Sequence, residues 1–182
     1  MLTTLAVYVD DKPGVLNRVA SLFRRRAFNI DSLTVGHTDR PGESRMTIVV
    51  DTDEAGARPI EANLYKLVNV RRVDNITVAP AVYRDLAMIK VAATAQSRTH
   101  IMQLVDVFRA RVVDVAPDSL IIEITGTEDK IDGLIEVLRP YRVIEMVRTG
   151  CVAMSRGVKA ATQPAAAAGP AQVREILPGE DA

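Results

Sequence analysis

The sequence predicts an α+β fold built from two ferredoxin-like βαββαβ units in tandem, and three observations carry that expectation. Segments of alternating apolar and polar residues, the period of a strand with one buried face, are interleaved with segments whose apolar residues recur at helical spacing. The order strand, helix, strand, strand, helix, strand is traversed twice. Pro80 falls between the two passes, and the periodicity stops near Val158.

The first pass opens with Leu5, Val7 and Val9 alternating against Thr4, Ala6 and Tyr8, a strand. Asp10-Asp11-Lys12-Pro13-Gly14 breaks it, and Val15, Leu16, Val19, Ala20 and Phe23 then line one face of a helix. Asp11 is placed to cap that helix, with Pro13 in its first turn. Arg24, Arg25 and Arg26 close it, where cations favour the negative end of the helix dipole. Strands are expected over Asn29–Thr38 and Ser44–Asp51, joined by a turn at Asp39-Arg40-Pro41-Gly42-Glu43. A second helix face of Ile60, Leu64 and Leu67 follows, then a strand over Val70–Val78. The first unit is taken as residues 1–79.

The second unit, residues 80–157, repeats the order. Leu86, Met88, Lys90 and Ala92 alternate with Ala87, Ile89 and Val91. Ser97 or Thr99 caps a helix carrying Ile101, Leu104, Val105 and Phe108. Strands are expected over Val112–Val115 and Leu120–Thr125, then a helix from Thr127 that Pro140 ends, then a strand over Arg142–Arg148. Residues 158–182, rich in Ala and Pro, show no core-forming face and read as a disordered tail.

Composition narrows the function. Lys+Arg 23 balance Asp+Glu 23 among 182 residues, so the basic surplus of a nucleic-acid binder is missing. Aromatic residues make up 4 %, with no Trp, which leaves little for stacking on bases. The single cysteine, Cys151, excludes an internal disulfide and any cysteine-based zinc spacing. No apolar run reaches the ~20 residues that span a bilayer, and the first residues do not resemble a signal peptide, so a cytoplasmic protein without membrane contact is expected.

A catalytic constellation is not found. His37 and His100 lie in different units, neither with a Cys or His at ligand spacing, and each reads as an exposed or hydrogen-bonded side chain. Cys151 has no local base and reads as an inert thiol. The one arrangement that carries chemistry is the junction of the first strand and helix. The first amides of a helix lack internal partners and form an anion site. Gly14, without a Cβ, lets a carboxylate approach. Asp11 at the same mouth suits an ammonium group, and Val15, Leu16 and Ile30 an apolar side chain. The residues fit a free α-amino acid. They equally fit a helix start that binds nothing, where Asp11 caps and Gly14 only permits the turn.

The stretch Leu5–Val19, containing Asp11-Lys12-Pro13-Gly14-Val15-Leu16, resembles the opening of ACT domains. Phe28-Asn29-Ile30-Asp31-Ser32-Leu33-Thr34-Val35, Ser44-Arg45-Met46-Thr47-Ile48, Lys66-Leu67-Val68-Asn69-Val70, Arg84–Val91 and Thr149–Gly157 are similar to acetolactate synthase regulatory subunits, in order over most of residues 1–157. The resemblance implies an N-terminal ACT domain followed by a second ferredoxin-like domain, and a chain that is not itself an enzyme. It further implies a homodimer that binds valine, leucine or isoleucine between ACT domains, with Asp11, Gly14, Val15 and Leu16 of one chain facing Asn29 and Ile30 of the other. The partner implied is the catalytic large subunit, which carries thiamine diphosphate, Mg and FAD, while this chain carries no cofactor. That subunit is activated by the dimer, and the amino acid relieves the activation as feedback inhibition in branched-chain amino acid biosynthesis. Three departures stand out: Asp11 where many relatives have Asn, Ala27 where they usually have Gly, and the tail after Gly157, which carries no resemblance to the family. Arg24–Arg26 serve either helix-end electrostatics or docking to an acidic face of the catalytic subunit. The competing functions are a stand-alone ACT-type sensor without a synthase partner, an independent enzyme, and a single-stranded RNA binder on the sheet, the last disfavoured by neutral charge and a non-aromatic sheet.

Overall fold

The computed structural model describes residues 1–157; the expectation for residues 158–182 lies outside the described residues. The first unit comprises β1 (Leu2–Asp10), α1 (Val15–Arg25), β2 (Ile30–His37), β3 (Glu43–Asp51), α2 (Glu54–Leu64) and β4 (Val70–Asn75). The second comprises β5 (Ala81–Ala92), α3 (Arg98–Val107), β6 (Arg111–Val115), β7 (Ser119–Gly126), α4 (Glu128–Leu138) and β8 (Val143–Arg148), and ends in a short β9 (Val152–Ser155). The sheets run β2-β3-β1-β4 and β6-β7-β5-β8, with β9 added against the start of β5. Both orders are that of a ferredoxin-like unit, with the first and third strands of the motif central.

The alternation in β1 sends Leu5, Val7 and Val9 inward, at most 1 % exposed, against Val15, Val19, Leu22 and Phe23 of α1 and Ile60 and Leu64 of α2. The second core is Ala87, Ile89 and Val91 of β5 under Ile101, Val105, Ile131, Leu134 and Leu138. Leu67 packs on the first core from beyond the end of α2, and the fourth strand stops at Asn75 rather than Val78. Ile76 beyond it is buried in a third cluster, with Ala6 and Ala153, flanked by Tyr8, Tyr83 and Cys151.

That third cluster joins the units. The β5–β9 ribbon pairs Ala81–Arg84 with Val152–Ser155. It lies on the face of the first sheet that carries no helices. The Cys151 amide donates to Ser32 Oγ (2.8 Å), Thr34 Oγ1 to the Thr149 carbonyl (3.2 Å), and Arg45 to the Ala153 carbonyl. The Tyr83 hydroxyl donates to the Ile76 carbonyl at 2.8 Å. The Tyr8 ring carries the Arg72 guanidinium 3.9 Å from its centroid.

Helix α1 ends in a Schellman motif: the Phe28 amide reaches the Phe23 carbonyl (3.1 Å), the Ala27 amide reaches that of Arg24 (3.1 Å), and Ala27 takes φ 57°. Helix α3 repeats it, with Ala110 to Val105 (2.9 Å), Arg109 to Asp106 (3.0 Å) and Arg109 at φ 51°. A residue with a Cβ in the left-handed region carries a steric penalty of about 1 kcal/mol. Ala27→Gly and Arg109→Gly are therefore expected to raise the unfolding free energy by about 0.5–1 kcal/mol each, the gain reduced by the freer unfolded chain. Urea titrations in which both variants unfold earlier than the parent chain would contradict this.

Candidate functional site

The β1–α1 junction is organised by Gly14. Its φ of 81° is left-handed, and it rather than Asp11 is the N-cap of α1, with no side chain capping the helix. Pro13 accordingly precedes the helix instead of lying in its first turn. The Val15 amide closes back on the Lys12 carbonyl (3.3 Å) and the Arg18 amide on that of Gly14 (3.1 Å), so the amides of Leu16 and Asn17 face outward. A Cβ built on Gly14 meets nothing within 4 Å: the space over the helix mouth is open.

Freed from capping, the Asp11 carboxylate accepts from Ser44 Oγ at 3.3 Å and pairs with His37 Nδ1 at 3.5 Å. Register places this contact. His37 lies opposite Ser44 across β2–β3, and Ser44 opposite Val9 across β3–β1. Neither His37 nor Ser44 is a residue that the sequence alone assigns to the mouth, because the pairing of β2 with β3 decides it.

Behind the mouth stands a bonded frame. Asp10 accepts from Arg71 Nε (2.7 Å), Asn69 Nδ2 (3.2 Å) and Lys12 Nζ (3.3 Å), while Arg18 donates to Asn69 Oδ1 (2.8 Å). Arg71 also pairs with Glu43 at 3.5 Å. The Asp11 amide donates to the Gly42 carbonyl (3.0 Å), tying the junction to the β2–β3 turn. Asp11, read from the sequence as a helix cap, thus serves as the rim of the turn, and Asp10 as its anchor.

The other candidates separate. Leu16 is 44 % exposed beside the mouth, whereas Val15 is 4 % exposed and packs in the first core. Ile30 packs partly on the first core. Asn29 is exposed at the head of β2, but at the far end of the sheet. Ile30 registers with Val50, and Val50 with Thr3, whereas the mouth follows Asp10, seven residues or about 23 Å further along β1. One protomer therefore does not bring Asn29 to Gly14. Strand β2 is the sheet edge on that side.

Elsewhere, a cleft of about 780 Å³ between the units is lined by Asp31, Ser32, Tyr83, Asp85, Glu128 and Cys151 among others. Burial, aided by Asp85 and Glu128, pushes the Cys151 thiol up to about 11, so it is protonated and unreactive at neutral pH. Among the described residues no group of His, Cys, Asp and Glu is placed to hold a metal ion, and no helix is long and apolar enough to cross a membrane. Of the three arginines at the end of α1, Arg26 donates to Asn63 Oδ1 of α2 (3.2 Å) and Arg25 to the Ser21 carbonyl (3.3 Å).

The first unit, with its open, uncapped helix mouth, is thus followed by a second unit of the same topology. Residues 5–72 match the family described as the AHAS small subunit-like ACT domain, and residues 84–157 that described as the small subunit of acetolactate synthase. The chain is 51 % identical over 159 residues to a protein of Archaeoglobus fulgidus named a probable acetolactate synthase small subunit, covering 87 % of this chain and 99 % of that one. It is 49 % identical over 154 residues to the acetolactate synthase small subunit of Mycolicibacterium smegmatis, covering 85 % and 91 %. The crystal structure of the small subunit from Thermotoga maritima superposes with a TM-score of 0.82 at 42 % identity, over 87 % of this chain and 99 % of that one. The chain belongs to the family of acetolactate synthase small subunits, the regulatory, non-catalytic chains of that enzyme.

The anchor has a pH signature. Hydrogen bonds from Arg71 first, then from Asn69 and Lys12, hold the Asp10 carboxyl below its usual value. A depressed folded pKa contributes stability above the unfolded value and loses it as pH falls through the folded one. Asp10→Asn should unfold more readily than the parent chain at pH 7, and the gap should close below about pH 4. Urea midpoints at pH 7 and pH 3 check this; a gap unchanged with pH would contradict it.

Proposed function

We propose that this chain binds a branched-chain amino acid, valine foremost, at the mouth of α1 and conveys its presence to the catalytic large subunit of acetolactate synthase. The observation that carries the reading is the pairing of an uncapped helix N-terminus, open over Gly14, with the Asp11 carboxylate at its rim. The first demands an anion and the second a cation, and a zwitterion supplies both. Leu16 offers an apolar contact beside it.

The site is completed across a homodimer. Two β2 edges joined antiparallel about a two-fold axis near Leu33 would set each Asn29 opposite the partner's His37, at the end of the sheet that holds Asp11. The amide of Asn29 both donates and accepts, which suits the polar end of an amino acid. Residues 1–79 act as the sensing ACT domain, and residues 80–157 as a second ferredoxin-like domain whose β9 rests on the sensor. The bound amino acid favours the inhibitory arrangement of the complex over the activating one, and a coupling of ~1–3 kcal/mol changes activity about 5–150-fold. Thiamine diphosphate, Mg and FAD belong to the catalytic subunit, and the complex works in the cytoplasm.

Mixing variants tests both the ligand and the shared site. Gly14→Asp puts a carboxylate where the ligand's would sit, in a residue type that tolerates φ above zero, and valine binding by calorimetry should weaken at least about tenfold. Asn29→Ala should weaken binding more mildly. In a mixed dimer one site carries both changes and the other carries neither, so mixing the two variants at random should restore about half of the sites in each mixed dimer, or about a quarter of all sites. Unchanged valine affinity in Gly14→Asp would misplace the site, and no recovery on mixing would place it within one chain.

A further inference from the structure

The ring of His37 stands at the rim of the proposed mouth with its Nδ1 3.5 Å from Asp11 Oδ2, and Ser44 Oγ lies 3.5 Å from the same nitrogen. Within one protomer the ring is 79 % exposed and Asp11 47 %, and in the proposed dimer the partner's Asn29 stands opposite the ring. The Asp11 carboxylate has one oxygen on Ser44 and the other toward His37. That second oxygen is the one an ammonium group would take.

We propose that His37 is an affinity-setting residue of the amino-acid site, acting through Asp11. As a neutral ring it leaves the carboxylate oxygen to the ligand's ammonium group. As an imidazolium it holds that oxygen itself, and the ligand must displace it. Binding to the imidazolium form then releases a proton, so affinity falls as the pH is lowered. This inference rests on the placement of the amino acid at Gly14 and Asp11.

The surroundings keep the effect local. Within one protomer the charged groups at this end of the sheet are Asp11 and Lys12 from the β1–α1 turn, Asp39 and Arg40 from the β2–β3 turn, Glu43 from β3, Asp10 from β1, Arg71 from β4 and Arg18 from α1; the proposed dimer adds the partner's Asp31. Lys12 and Arg71 are engaged by Asp10, Arg71 also by Glu43, and Arg18 by Asn69. The chain has two histidines, and the other, His100, is exposed on α3 of the second unit.

Calorimetric titration of the full-length chain with valine at pH 6 and pH 8 tests the proposal, with His37→Asn and His37→Lys alongside. The parent chain should bind about two- to fivefold more weakly at pH 6, the size of one exposed ion pair. His37→Asn should bind equally at both values. His37→Lys, permanently charged, should bind weakly at both. Repeating the parent titration near pH 6.5 in two buffers of different ionisation enthalpy should reveal proton release that His37→Asn lacks. Parent affinity independent of pH, or a pH dependence that survives in His37→Asn, overturns the role of His37 while leaving the site in place. Absence of valine binding by the parent chain at both pH values overturns the site and the inference together.

Discussion

The structure depends on how a strand is turned into a helix between Asp10 and Val15. Four residues must reverse the chain's direction and deliver a helix with its amides uncovered. Asp10 makes this possible, because its carboxylate gathers Arg71, Asn69 and Lys12 onto one point. Each bond is modest in water-facing surroundings, but together they fix the last residue of β1 relative to β4 and to the start of α1. Gly14 then takes the left-handed backbone that a side chain would resist. With the anchor assigned to Asp10 and the turn to Gly14, Asp11 is left over, and its charge remains at the rim rather than in a cap.

Much of the fold is legible in the sequence because its signals are local. The alternation of Leu5, Val7 and Val9 and the helical spacing of Val15, Val19 and Phe23 are properties of short windows, and the core uses the same residues. The penalty at Ala27 is signalled only by the resemblance, in which Gly usually stands at this position, and its φ of 57° is left-handed. What is hidden is what depends on partners distant in sequence. Strand β9, Val152–Ser155, has four residues and no period of its own; it exists because the start of β5 lies alongside it. Tyr65 shows the same limit, with its hydroxyl bonded to the Val73 backbone past a turn.

The site divides along the same line. Gly14 and Leu16 can be placed from sequence because both lie within a few residues of the strand end. Val15 misleads: the helical pattern that marks it as apolar equally marks it as core, and the core claims it. His37 and Ser44 meet Asp11 only through the register of three strands, which no window of sequence contains. Asn29 is the reverse case, a residue whose own protomer holds it away from the mouth.

The Arg45 link to Ala153 has a consequence for how the chain can be divided. Ala6 and Ile76, each 1 % exposed, are sheltered by the returning segment around Ala153 rather than by their own half of the molecule. A fragment ended at the proline between the halves would bare those side chains and strip Ser32 of its donor and Thr34 of its acceptor. Such a fragment inherits a greasy, under-bonded sheet surface and should clump, so the amino-terminal half is a poor stand-alone reagent and the carboxy-terminal strand is part of its skin.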